Sequence, residues 1–249
     1  MDHLIYTAMS GASRTLEQQA VISNNLANTS TTGFREQIAM YRAVPVVGRS
    51  TELQTRATTV TTTPGSQMGQ GVMAETGHAL DLAITGPGWF AVQTPEGEAY
   101  TRAGDFSVSP DNILVTATGR PVLSDDDAPI DVPERGSITF SGDGTITALG
   151  AGDNPRDIQV LGQIKLVNPE PGDLTRGDDG LFRMQDGQAA PADPEVRVVA
   201  GFVEKSNVSA AQAMVGLIAN ARRFEMQMKM IQDASTNAER ANSILSSGG

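Results

Sequence analysis

The chain has 249 residues, 39% of them hydrophobic but only 4% aromatic, so its core rests mainly on Val, Ile, Leu, Met and Ala. It has no cysteine, which excludes disulfides, thiolate nucleophiles and thiolate metal sites together. The net charge of −11 is unevenly spread: residues 1–42 balance to zero, residues 209–249 to +1, and the interval between them holds −12.

Near-neutral ends suit packing against other protein, and an acidic middle suits water and argues against nucleic acid as a partner. The start, Met1-Asp2-His3-Leu4-Ile5, has no basic region before an apolar stretch, so no cleavable secretory signal is expected. No run approaches the roughly 18 apolar residues of a membrane span, so no membrane insertion is expected either.

In chain order, Ile5, Met9, Ala12, Leu16, Gln19, Ser23 and Leu26 fall at alternating spacings of four and three, which predicts an N-terminal helix with one apolar seam. A second edge, Ala8, Ala12 and Ile22, lies beside it. Turn formers from Thr29 to Gly33 end the helix. Residues 48–76, with Thr58 to Thr63 and Pro64-Gly65-Ser66, have no sustained period and read as extended connector.

The period then changes to two. Leu80, Leu82 and Ile84 alternate with Asp81 and Ala83, and Trp89 to Gln93 is a strand run. Further short strands fall at Phe106 and Val108, Ile113 to Val115, Ile138 to Phe140, Thr145 to Thr147, Val160-Leu161, Ile164 to Val167 and Val196 to Val199. Turn chemistry separates them at Pro95-Glu96-Gly97, Pro110-Asp111-Asn112, Asp143-Gly144 and Asp186-Gly187. This pattern predicts an antiparallel β domain.

The last forty residues return to helix. Met214, Leu217, Ala221, Phe224, Met228, Ile231, Ser235, Ala238, Asn242 and Leu245 keep the three-four alternation without a break. A helix from Ser209 to Ser246, capped by Ser206 or Ser209, spans on the order of 57 Å at ~1.5 Å per residue.

The expected class is therefore α+β. Residues 1–35 and 201–249 form a discontinuous, coiled-coil-like helical domain, 36–76 a connector, and 77–200 an inserted antiparallel all-β domain. Two antiparallel helices cannot bury both the seam and the second edge of the first helix. The surplus apolar surface implies association, and unlike patches packed head to tail build an open helical polymer. Met226 and Met230, four apart on another face, are either ordinary packing or a second contact.

Candidate chemistry is sparse. Asp125-Asp126-Asp127 lacks calcium-loop spacing and reads as a charged loop. His3 and His78, the only histidines, sit near no Ser or Asp constellation, and no spacing selects a carboxylate pair for glycoside hydrolysis. No enzyme, cofactor or metal site is expected. The rival of another class is a secreted carbohydrate-binding or adhesive β protein whose helices serve as an oligomerisation stalk.

Ser23-Asn24-Asn25-Leu26-Ala27-Asn28-Thr29-Ser30-Thr31-Thr32-Gly33-Phe34-Arg35 resembles the N-terminal signature of the flagellar rod and hook proteins. Ala79 to Phe90, followed by Tyr100-Thr101-Arg102-Ala103-Gly104-Asp105-Phe106, is similar to that family's entry into its β domain. Glu204-Lys205-Ser206-Asn207-Val208, with Met214, Ile218, Arg222, Phe224 and Glu225, resembles its terminal helix. Residues 125–194 match only loosely.

Within the family, length sets aside the short rod subunits and the hook subunit. Ile5 to Met9, Arg42 to Val46 and Ala219 to Lys229 then favour a place in the proximal rod, with the distal rod as the alternative.

The resemblance implies a structural subunit of the axial shaft that transmits motor torque across the periplasm. Its implied partners are copies of itself, short proximal rod subunits, distal rod subunits and the flagellar type III export apparatus, which passes it unfolded with no cleaved leader. The expected subunit interface comprises Ile5, Met9, Leu16, Ile22 and Leu26 on the first helix and Met214, Leu217, Phe224, Met228, Ile231 and Leu245 on the last. To these the resemblance adds Asn24, Asn25 and Asn28, as anchors between subunits or as local turn contacts, and Gly33-Phe34, as a hinge docking on a neighbour or as helix end plus core aromatic. Seams that await a neighbour imply terminal helices that are frayed in the free subunit and order on assembly.

Overall fold

The computed structural model describes residues 2–45, 57–61, 65–133, 136–150 and 158–247. Parts of the expected connector, residues 46–56 and 62–64, lie outside that description, as do the side chains of His3 and Leu245.

The class is α+β: two helices, α1 (Asp2–Ala27) and α2 (Ala210–Ser247), bracket a series of antiparallel strand pairings. The start of α2 follows from Ser209, whose hydroxyl accepts from the Gln212 N–H at 3.4 Å while its carbonyl accepts from Ala213 at 2.9 Å. At the end of α1 the main-chain N–H and side-chain Nδ2 of Asn28 both donate to the Asn24 carbonyl, at 3.1 and 2.9 Å.

The chain divides into two compact units. The first gathers residues 1–28, 36–67 and 208–249. Within it α1 and α2 are in contact and run antiparallel, since Ile22 lies opposite Gly216 while Gly11 lies opposite Gln227. Extended backbone in this unit is paired, Gln37–Ile38 with Gly65–Ser66 and Tyr41–Pro45 with Ala57–Thr61.

The second unit gathers residues 29–35 and 68–207. Its largest sheet has five strands in the order Leu166–Val167, Trp89–Thr94, Gly97–Thr101, Phe182–Met184 and Leu174–Arg176, every neighbour antiparallel. Gly136–Phe140, Thr145–Gly150 and Gln159–Gln163 form a three-stranded sheet. Leu82–Thr85 pairs with Arg197–Ala200, and Met73–Glu75 pairs with Phe202–Glu204. The expected turns carry the left-handed backbone that their residues permit, with φ of 61° at Asn112, 87° at Gly144 and 71° at Gly187.

Two apolar clusters fill this unit. One is built on Leu82, Ile84, Phe90, Phe106, Leu114, Ile146 and Ile164. The other surrounds Trp89, Tyr100, Val167 and Phe182, and there the Tyr100 hydroxyl accepts from the Ala190 N–H at 2.7 Å. Aromatic rings are few but central: Phe90 meets Phe106 edge-on at 5.1 Å, and Trp89 meets Phe182 at 4.6 Å.

Gly104 shows how closely the backbone approaches here. Its carbonyl accepts from the Leu82 N–H at 2.9 Å, and a Cβ on it would lie 1.8 Å from the Leu82 carbonyl oxygen. Gly104→Ala must therefore push two backbone segments apart. It is expected to destabilise the second unit by about 1–3 kcal/mol or more, read as a lower urea midpoint at unchanged slope.

Candidate subunit interface

The two helices meet through small residues and amides. Among the described side chains, the buried positions on α1 are Ala8, Ala12, Thr15 and Asn25, and on α2 they are Asn220 and Ala234. Gly11 makes room for Gln227, whose Oε1 accepts from the Thr15 hydroxyl at 3.0 Å, and Asn220 Nδ2 donates to the Thr15 carbonyl at 2.7 Å.

Ala12 apart, this stripe lies one position before the apolar seam on both helices: 8, 15 and 25 against 9, 16 and 26, and 220 and 234 against 221 and 235. One residue is about 100° of helix turn, so the most deeply buried line of each helix is offset from the apolar seam, which is only partly covered. Small residues permit close approach of the axes, and the amides bond across it.

Several large apolar side chains are consequently left outside. Met9 and Leu16 are 58% and 52% exposed, Met214 and Met228 53% and 47%. Tyr6, Val215, Ile218, Met226 and Met230 are exposed as well. Ile5, Ile22, Leu26, Leu217, Phe224 and Ile231 are half-buried. Phe224, Met228 and Ile231 line an open groove of ≈ 900 Å³ along α2.

The remaining expected residues bond within their own chain. Asn25 holds residue 37 in a two-way amide bridge: its Nδ2 donates to the Gln37 carbonyl and its Oδ1 accepts from the Gln37 N–H, both at 2.8 Å. Asn24 is exposed and serves Asn28 as an acceptor. Gly33 has φ 66° and donates to the Glu204 carbonyl at 2.7 Å, and a Cβ there would meet the Ala103 nitrogen at 2.2 Å. Phe34 is buried in the second unit beneath the Arg176 guanidinium, 4.4 Å from its ring centre.

Sequence reasoning quoted Arg35, Arg102 and Glu204 inside motifs and gave them no role. In the structure they meet. Glu204 is 0% exposed, Arg35 1% and Arg102 4%. One carboxylate oxygen, Oε1, accepts from Arg35 and, at 2.7 Å, from the Gly71 N–H; the other, Oε2, accepts from Arg102 at 3.0 Å. Arg102 also donates to the carbonyls of Gly86 and Ile84, at 2.6 and 3.4 Å. Both guanidiniums sit over the Trp89 ring, 5.7 and 5.6 Å from its centre. Burial pulls the Arg102 pKa down to about 10, with the Glu204 carboxylate opposing that shift. A signal for this cluster was present in the charges conspicuous within otherwise apolar or small-residue motifs, but not the pairing.

Other polar groups have structural partners. Lys165 joins Glu98 and Asp127, at 2.8 and 2.5 Å, which ties down the Asp125-Asp126-Asp127 loop. Among the described residues no three His, Asp or Glu gather as metal ligands, and no helix is long and apolar enough to cross a membrane. A groove of ≈ 360 Å³ in the second unit, between Leu80, Val108, Val132 and Ile138, has no carboxylate in its lining.

Three family profiles match the chain in order. That of the flagella basal body rod protein covers residues 5–35, the flagellar hook protein FlgE/F/G D1 domain 83–148, and the flagellar basal body rod FlgEFG protein C-terminal region 199–244. The chain belongs to the flagellar basal-body rod protein family, and it is a structural protein of the flagellum rather than an enzyme.

Within that family it is close to FlgF. It is 48% identical to the flagellar basal-body rod protein FlgF of Salmonella typhimurium and 49% identical to that of Escherichia coli, in each case across 99% of both chains. A FlgG of Buchnera aphidicola is 30% identical over 90% of this chain and 92% of its own. The carbohydrate-binding or adhesive alternative is not favoured.

The Asn220 bond to Thr15 gives a direct check on the helix contact. Asn220→Ala is expected to weaken the first unit by about 0.5–1.5 kcal/mol. Hydrogen exchange should then quicken in α1 and α2 while the five-stranded sheet keeps its protection.

Proposed function

We propose that this chain is a subunit of the proximal rod, assembling through its terminal helices into the axial shaft that carries motor torque across the periplasm. The observation that carries this reading is the outward placement of Met9, Leu16, Met214 and Met228 on helices already in contact through their small residues. A free subunit leaves about half of each of these side chains in water, and covering one with a neighbour contributes roughly 1 kcal/mol.

In the assembled shaft the helices form a coiled-coil-like layer in which each touches its own partner on one side and adjacent subunits on the other. The neighbours are copies of this chain, short proximal rod subunits and distal rod subunits. The chain reaches its place unfolded, through the flagellar type III apparatus, and its helices become fully ordered there. The 48% and 49% identity to the FlgF proteins of Salmonella typhimurium and Escherichia coli, against 30% to the FlgG of Buchnera aphidicola, supports the proximal over the distal position.

Cross-linking mass spectrometry of purified hook–basal bodies tests the position. Links to short proximal subunits on one side and distal subunits on the other are expected. An abundant chain linked mainly to itself would move it to the distal rod. Phe224→Asp tests the surface, because it places a charge in the half-buried groove of α2. Motility should be lost while the isolated chain keeps the unfolding transition of its β unit; unchanged motility would count against the helical interface.

A further inference from the structure

The chain passes between its two units four times, at residues 28–29, 35–36, 67–68 and 207–208. Within the second unit the ends of these passages are bonded to one another. Asn207 donates its N–H to the Phe34 carbonyl at 3.2 Å and its Nδ2 to the Gly69 carbonyl at 2.8 Å. Lys205 N–H donates to the Val72 carbonyl, Gly33 N–H to the Glu204 carbonyl, and Arg176 to the Arg35 carbonyl at 2.6 Å. At their centre lies the Glu204 carboxylate, which holds Arg35 from the N-terminal passage, Gly71 from the passage after residue 67, and Arg102 from the body of the unit.

We infer that Glu204 is a positioning residue for torque transmission: its carboxylate gathers the chain passages into one ionic clamp on the β unit. This inference rests on the rod reading above. The covalent passages are paths by which force in the helices reaches the β unit, and a clamp makes them share it. A single main-chain hydrogen bond at each passage would open one at a time. A buried carboxylate with two guanidiniums opens only by exposing an unpaired charge, which is far more costly.

Charge explains why the cluster is built as it is. Two cations against one anion leave an excess of +1, which the Gly86 and Ile84 carbonyls and the Trp89 ring face absorb around Arg102 and Arg35. The three profile matches, 5–35, 83–148 and 199–244, each contribute one member: Arg35, Arg102 and Glu204.

Arg35→Gln is the sharpest test, because it releases the N-terminal passage and leaves Glu204 and Arg102 as a balanced pair. In the purified full-length chain, exchange at residues 29–35 should accelerate on the order of 100-fold while Leu82–Thr85 and Trp89–Thr94 stay protected. In a strain lacking its own copy, the variant should enter basal bodies in normal amount. It should swim normally in dilute medium and lose speed more steeply than wild type as viscosity rises, with Arg35→Lys recovering part of the loss.

The inference is overturned if exchange at 29–35 is unchanged, if protection falls throughout the unit, if the folded variant fails to enter basal bodies, or if its speed follows wild type at every viscosity. Glu204→Gln, which strands both guanidiniums, should show the same pattern in stronger form. Absence of the wild-type chain from basal bodies would instead sink the rod reading, and the exchange result would still decide whether the clamp exists.

Discussion

The organisation of the β unit depends on a carboxylate that has no contact with water. Glu204 closes strand Phe202–Glu204 and lies near the start of α2, Arg35 sits just beyond the end of α1, and Arg102 follows the central strand Gly97–Thr101. Sequence separations of 169 and 102 residues make these pairings expensive to form in the unfolded chain. Once formed, they are expensive to break, because opening the cluster at Glu204 leaves two guanidiniums without their counter-charge in an interior that cannot solvate them. The apolar clusters around Phe90 and Trp89 fill the unit, and the ionic cluster bonds residues 35, 71 and 204, which flank the points where the chain enters and leaves it.

The helical unit follows a different economy. Its most buried contacts use alanine, threonine and amide side chains, Ile22 packs opposite Gly216, and Tyr6, Leu16 and several methionines are left outside. For a protein that stayed alone this arrangement would waste hydrophobic surface and invite aggregation. For a subunit of a polymer it reserves the surface for neighbours. The acidic middle of the sequence agrees with this division, since charge is concentrated away from the segments that must pack.

The family assignment and the physical reading support each other without being the same argument. Identity near one half across the whole chain fixes the family. It does not say why a short amide-rich segment ends the first helix, or why a glycine is needed at residue 33. The structure answers both: Asn25 bridges to Gln37, and a side chain at residue 33 would collide with the backbone at Ala103.

By itself the sequence determined the element types and much of their order. Period-two runs and turn residues placed strands such as Leu82–Thr85 and Trp89–Thr94 but not Gly97–Thr101, Leu174–Arg176, Phe182–Met184 or the pairings within 36–76, and the three-four alternation placed both helices, because these patterns are local and set by backbone geometry. It also carried the family signature, in Asn24 to Arg35 and Glu204 to Val208. The tertiary structure alone decided which side of each helix faces its partner, since Ala8 and Met9 are equally compatible with helix and only the packing of a second helix chooses between them. It alone decided that Arg35, Arg102 and Glu204 belong together, because complementary charges distant in sequence have no periodicity to announce them. Their pairing arises only when the fold removes all three from water at one place.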